Sequence, residues 1–132
     1  LFAFGDDNND NPYLPRNFIE NCAVYTGTHD NNTVKGWFKN EAVAKEKERL
    51  FRYLEYKVSS NNAHLEFIKL AMESVAETVI FPMQDILGLG GEARMNVPST
   101  TKGNWQWRLL PKQIAKNVSD RLLKMTETCG RA

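Results

Sequence analysis

Long apolar runs are missing from this chain. No stretch of about 18 apolar residues occurs, so no membrane-spanning helix is expected. Cysteine is scarce. Cys22 and Cys129 stand far apart, in neither a metal-ligand spacing nor a disulfide framework, and a reducing compartment fits them best. Surplus charge is missing too: 17 basic side chains meet 16 acidic ones, with no basic stripe, so no nucleic-acid footprint is expected. Gly88, Gly90 and Gly91 cluster without forming G-x-G-x-x-G, which removes the dinucleotide fingerprint. No signal-peptide pattern is visible. A starting Met is absent, and the apolar run Leu1–Phe4 reads as strand interior, as expected of a processed chain, an excised domain or a fragment.

What is present suffices for one modest core in 132 residues. Asp6 to Asn11 is Asp and Asn throughout, which is turn chemistry. Its acidity suits Ca²⁺, but the ligand spacing of a calcium loop is lacking, so no metal is expected. Pro12 and Pro15 stiffen the stretch after it. Cys22–Thr26 reads as a second strand. Thr33–Phe38 either opens the following helix or turns before it. Glu41–Tyr56, rich in Ala, Glu, Lys and Arg, reads as a helix with Val43, Lys47, Leu50 and Leu54 on one face. The Lys47 stem is expected to cover apolar surface.

Asn61 or Asn62 is suited to cap the next helix, whose apolar stripe is Leu65, Ile68, Met72, Val75 and Val79. Thr78–Phe81 reads as a third strand closed by Pro82, and Ile86–Leu89 as a short helical turn. Glu92–Thr101 reads as a long loop. Pro111 fits the first turn of a last helix with Ile114, Val118, Leu122 and Met125 buried and Gly130 beyond its end. The order is that of an α/β protein. Polar groups follow each strand at one edge, which suits a barrel or an open sheet and does not choose between them.

The most informative stretch is Ala23 to Asp30. Four strand-suited residues run into His29-Asp30, and functional groups sit well at such a strand exit. The same pair also suits a plain cap or turn network. Gln84 and Asp85 repeat the arrangement after the third strand. Trp105 and Trp107, among Asn104, Gln106 and Arg108, are unusual for simple core, and one facing a ligand groove is a natural division.

Tyr25-Thr26-Gly27-Thr28-His29-Asp30-Asn31 resembles the signature of the 4-alpha-glucanotransferases, the amylomaltases or disproportionating enzymes of glycoside hydrolase family 77. The segments Phe2-Ala3-Phe4-Gly5 with Tyr13-Leu14-Pro15, Pro82 to Gly90, Ala93-Arg94-Met95-Asn96 with Pro98, and Gly103-Asn104-Trp105 with Trp107-Arg108 resemble the family's in the same order. The likeness runs from Leu1 to about Arg131. It implies the C-terminal part of an α-amylase-like (β/α)8 barrel, incomplete on its own, since such a barrel takes roughly 250 residues. Residues 1–132 would be one portion of that barrel, with no separate second domain. Leu1–Phe4, Ala23–Thr26 and Val79–Phe81 would be its sixth, seventh and eighth strands.

The resemblance also implies the chemistry. The family passes part of an α-1,4-glucan to the 4-hydroxyl of glucose or another glucan, with retention, using a nucleophile and an acid/base about 5 Å apart. Both would belong to the fourth and fifth strands, outside this chain. Asp30 would be the third carboxylate, holding sugar hydroxyls and favouring the oxocarbenium-like transition state. His29 would contact the same sugar. Asn96, Pro98, Asn104, Trp105 and Asp85 would border or bind the glucan. Read from the residues alone, Trp107 and Arg108 suit a structural role, and Arg94 suits pairing with a buried carboxylate.

Glucans, maltooligosaccharides and glucose are the implied partners. No cofactor and no metal are implied, and the implied location is the cytoplasm, or a plastid in a plant. Three positions depart from the family: Arg16 where His is frequent, Asn32 where Asp is usual, and Ser99 where Gly is common. The isolated chain is expected to be inactive and unstable. A glucan-binding or degenerate module, and an α-glucan hydrolase, stand as alternatives.

Overall fold

The computed structural model describes residues 2–132. Its framework is a β–helices–β unit. Strand β1 (Ala23–Tyr25) pairs in parallel with β2 (Thr78–Ile80), in the register Ala23↔Thr78, Val24↔Val79 and Tyr25↔Ile80. A parallel pair needs a crossover, and helices α1 (Val34–Asn40), α2 (Ala44–Leu54) and α3 (Ala63–Met72) supply it. The one-turn helix α4 (Met83–Ile86) follows β2, and α5 (Lys116–Thr128) closes the order.

The core lies where α1, α2 and α3 meet the start of the chain. Val34 and Leu50 are fully buried, and Phe4 packs edge-on against Phe67 and Tyr53, each with centroids 5.8 Å apart. Trp37 meets Phe67 at 5.6 Å. Such tilted and edge-on pairs add to area burial because a positive ring edge faces a negative ring face. Lys47 Nζ sits 5.1 Å from the Phe38 ring centroid, so its stem does cover apolar surface. Met72 is buried, as its stripe position predicts.

Several local expectations are corrected. Phe2–Phe4 is a 3-10 turn and not a strand, while Leu1 lies outside the described residues. Side chains take the carbonyls a strand would have offered: Asn11 Nδ2 donates to Phe2 O, and Arg49 Nη1 donates to Phe4 O and Gly5 O. The sheet of the described residues therefore has two strands.

The helix read over 41–56 begins at Ala44. Thr33 caps α1 by accepting from Gly36 N at 3.0 Å, and both Glu41 N and Ala42 N donate to Trp37 O, which ends it. Val43 is then extended, and Glu46 starts α2 by accepting from Val43 N at 2.9 Å.

Asn62 stands at the N-cap of α3, but its side chain makes no capping bond. The buried face of α3 is Ala63, His64, Phe67, Ile68, Ala71 and Met72, and the helix stops before Val75, which is exposed. Pro111 precedes α5 instead of starting it, because Lys112 has φ 70° and Gln113 closes a separate turn on Leu110.

The stripe expected to be buried on α5 is not: Val118, Leu122 and Met125 are half-buried, and Ile114, before the helix, is exposed. Arginines tie it down: Arg121 donates to Ile86 O, and Arg131 donates to Met72 O, Ser74 O and Ala76 O at 2.6–2.8 Å. Gly130, at φ 64°, closes the helix as expected. No described helix is long and apolar enough to cross a membrane.

His64 gives the fold a pH dependence. It is buried, and its Nδ1 has no hydrogen-bond partner among the described residues. Burial first, then Arg121 and Lys35, push its pKa down to about 4. The imidazole is therefore neutral in the fold and charges more readily when unfolded. Its contribution is fully present above about pH 6.5 and is lost as the pH falls toward 4. Urea titration is expected to show a loss of about 1–2 kcal/mol between pH 7 and 5. His64→Gln is expected to flatten that slope.

Candidate functional site

Two loops build the site. One leaves β1 over residues 26–33, and the other follows β2 and α4 over residues 93–105. The first is shaped by Asn31, whose Oδ1 accepts from Thr28 N at 2.8 Å and Thr28 Oγ1 at 3.1 Å. Asn31 N also donates to Thr28 O at 3.1 Å, and this closed turn leaves His29 and Asp30 at its tip, with side chains 57% and 50% exposed. His29 Nε2 stands 3.4 Å from Asp30 Oδ1.

The second loop meets them. Asn96 N donates to His29 O at 3.1 Å, and Asn96 Nδ2 donates to Asp30 Oδ1 at 2.6 Å. Trp105 lays its ring against His29, with centroids 5.1 Å apart and planes 35° apart. Asp30 Oδ2 has no partner among the described residues and remains available to a ligand hydroxyl. The structure thus brings together Asp30, His29, Asn96 and Trp105.

Pro98 and Asn104 take other places. Pro98 is exposed. Asn104 works inside its own loop: Oδ1 accepts from Val97 N, and Nδ2 donates to Thr100 O and Oγ1. Ser99 in that loop has φ 63°, a left-handed conformation that glycine adopts without strain. Ser99→Gly is accordingly expected to raise stability by about 0.5–1 kcal/mol, read as a higher denaturant midpoint.

Asp85 is only 2% exposed, and both its oxygens are engaged. Oδ2 accepts from Thr26 Oγ1 at 2.7 Å, and Oδ1 accepts from Val34 N at 2.8 Å. Burial pushes its carboxyl pKa up, and these two hydrogen bonds oppose the shift. Asp85 therefore lies beneath the β1 loop as its support, lining a cleft that His29 also lines. Arg108 donates to Trp105 O and Trp107 O, a structural role.

Sequence reasoning missed the link formed by Arg94, Glu41 and Asn32. Arg94 Nη1 donates to Glu41 Oε1 at 3.1 Å, and Glu41 is a partly exposed carboxylate, not a buried one. Asn32 Nδ2 donates to the same oxygen at 2.7 Å. The two sequence positions 41 and 94 carried no shared signal. Arg94 borders two open clefts, of about 210 and 230 Å³, with His29 lining the first and Asp30 the second. No group of His, Cys, Asp and Glu among the described residues is arranged to hold a metal.

At the exit of a parallel strand, His29, Asp30 and Asn96 thus set hydrogen-bonding groups beside the exposed indole of Trp105, within an α/β framework. The comparisons name the family. A family model described as 4-alpha-glucanotransferase matches residues 1–113, and the chain belongs to that family.

The 4-alpha-glucanotransferase of Synechocystis sp. is 47% identical over 131 residues, covering 98% of this chain and 25% of that protein. That of Clostridium butyricum is 43% identical over 130 residues, covering 98% and 26%. The chloroplastic/amyloplastic enzyme of Solanum tuberosum is 46% identical over 133 residues, covering 98% and 23%. The structure of an amylomaltase from Streptococcus agalactiae in complex with acarbose superposes with a TM-score of 0.89 at 31% identity, covering 99% of this chain and 26% of that one. The chain thus spans about a quarter of the length of these relatives.

Proposed function

We propose that this chain is the C-terminal portion of a glycoside hydrolase family 77 barrel, and that the protein completed by it transfers segments of α-1,4-glucans. The donors and acceptors are glucans, maltooligosaccharides and glucose. Asp30 acts as the carboxylate that stabilises the transition state, and His29 contacts a hydroxyl of the same sugar. Asn96 and Trp105 border the glucan, Trp105 offering apolar area to a pyranose face. Pro98 lies at the outer rim, Asn104 shapes the loop, and Asp85 supports the site from below.

The observation that carries this reading is the Asn96–Asp30 hydrogen bond of 2.6 Å, which joins two loops at one strand exit through Asp30 Oδ1 and keeps the carboxylate at a half-exposed position. A carboxylate in this setting can bond sugar hydroxyls more strongly as charge develops at the anomeric carbon. Two-strand pairing favours the barrel assignment, because β1 and β2 leave Tyr25 and Ile80 half exposed and a groove of about 470 Å³ beside β1. Parallel strands are ordinarily covered on both faces. In this assignment β1 and β2 are the seventh and eighth strands. The nucleophile and acid/base come from outside these residues, so the isolated 132-residue chain has no transfer activity. A cytoplasmic or, in a plant, plastid location goes with this reading.

One observation favours a second reading. Trp105 is 52% exposed beside His29, which suits glucan binding without chemistry. Maltotriose decides between them. Glucose together with longer maltodextrins from the intact protein supports transfer. Glucose and maltose alone indicate a hydrolase, and unchanged maltotriose with saturable binding indicates a binding module.

A further inference from the structure

Resting on the transfer reading, we propose that Arg94 is the positioning residue that sets Asp30 and Asn96 in register. Its guanidinium reaches three separate acceptors. Nε donates to Asn96 O at 2.8 Å, Nη2 to Asp30 O at 2.7 Å and Nη1 to Glu41 Oε1 at 3.1 Å. Asp30 and Asn96 lie 66 residues apart in sequence, and Arg94 holds the backbone of both. The planar fork of arginine suits this task, because its donors point in fixed directions. A lysine ammonium cannot span the same three acceptors.

The choice of acceptor matters. Arg94 binds the backbone oxygen of Asp30 and makes no hydrogen bond to its carboxylate. It fixes the residue without occupying the oxygens meant for the sugar. Glu41 holds the far end of the guanidinium and is itself steadied by Asn32 Nδ2 at 2.7 Å. The Arg94 side chain is 20% exposed, so this pairing is shielded relative to an open surface ion pair. Arg94 also lines two clefts, one shared with His29 and the other with Asp30. Its removal would leave the β1 loop and the 93–105 loop joined by the Asn96 bonds to His29 and Asp30 and by the Trp105–His29 ring contact, with the backbone of Asp30 and Asn96 no longer tied to one rigid group. A misplacement of about 1 Å in such a site costs on the order of 10²-fold in rate.

The test uses the intact protein with maltotriose as both donor and acceptor. Arg94→Ala is expected to lower kcat by about 10²-fold with KM changed by less than about threefold, since orientation is lost and not sugar binding. Arg94→Lys is expected to fall nearly as far, and Glu41→Gln less. Guanidinium ion added to Arg94→Ala is expected to restore part of kcat, a recovery that a general loss of folding would not show.

Crystal structures of the intact wild type and Arg94→Ala give a readout independent of activity. The Asn96–Asp30 contact, 2.6 Å here, is expected to open beyond hydrogen-bonding distance in the variant. An intact contact in Arg94→Ala, or a kcat that Arg94→Lys preserves, overturns the proposal. A wild type that transfers nothing defeats the transferase reading instead, and the crystal pair then decides the positioning claim by itself.

Discussion

Replacing Asp30 with Asn in the intact protein is expected to cut kcat for glucan transfer by about 10²–10³-fold. The substitution keeps the shape of the side chain and an oxygen for Asn96 Nδ2, which now donates to Asp30 Oδ1 at 2.6 Å. What it removes is negative charge on the outward-facing group. A charged acceptor strengthens its hydrogen bonds to sugar hydroxyls as positive charge grows at the reacting carbon, and a neutral amide does so far less. The loss should therefore fall on kcat and leave KM nearly unchanged. Stability should change little, because the Asp30 side chain is half exposed. Steady-state kinetics with maltotriose and a denaturant titration of each form check both halves. A variant that keeps wild-type kcat would remove Asp30 from the chemistry.

The second large effect concerns stability. Asp85→Ala is expected to destabilise the protein by about 3 kcal/mol, since two buried donors lose their acceptor at once. Val34 N is the first amide of α1, and Thr26 Oγ1 belongs to the first residue of the β1 loop, so one carboxylate joins helix, strand exit and α4. Asp85→Asn should cost less than about 1 kcal/mol, because its amide oxygen still accepts from Val34 N and its NH₂ can donate to Thr26.

The pH dependence separates the two buried groups. Burial holds the Asp85 carboxyl pKa above its ordinary value of 3.8. Protonation is then easier in the fold than in the unfolded chain, and this group's contribution to stability grows as the pH falls through its folded pKa toward 3.8. His64 acts in the opposite direction over its window from about 6.5 to 4. Acid titrations of Asp85→Asn and His64→Gln should thus deviate from wild type with opposite slopes.

How much of this could be seen beforehand depended on the range of the interaction. β1 and β2 were legible because β-branched and apolar residues end at polar groups, as in Ala23-Val24-Tyr25 and Thr78-Val79-Ile80. Gly130 and Met72 were legible for similar local reasons. Phe2–Phe4 was not, because its carbonyls are claimed by Asn11 and by Arg49, the latter 45 residues away from Phe4. The break before α2 depends on Trp37 O accepting two amides, which no propensity reports.

The site divided along the same line. The His29-Asp30 pair stood out at a strand exit and by family resemblance, and the structure brings Asn96 and Trp105 to it. The Arg94–Glu41–Asn32 link did not stand out, since it joins side chains up to 62 residues apart by folding alone. Asp85 was noticed for the correct reason, its position after β2, yet burial gives it a supporting place.

The most direct measurement is the product distribution from maltotriose, run side by side on the intact protein and on the isolated 132-residue chain. The expected result is glucose and maltodextrins longer than maltotriose from the intact protein and no turnover by the isolated chain. Disproportionation by the isolated chain would contradict it, and so would an intact protein that forms no product longer than its substrate.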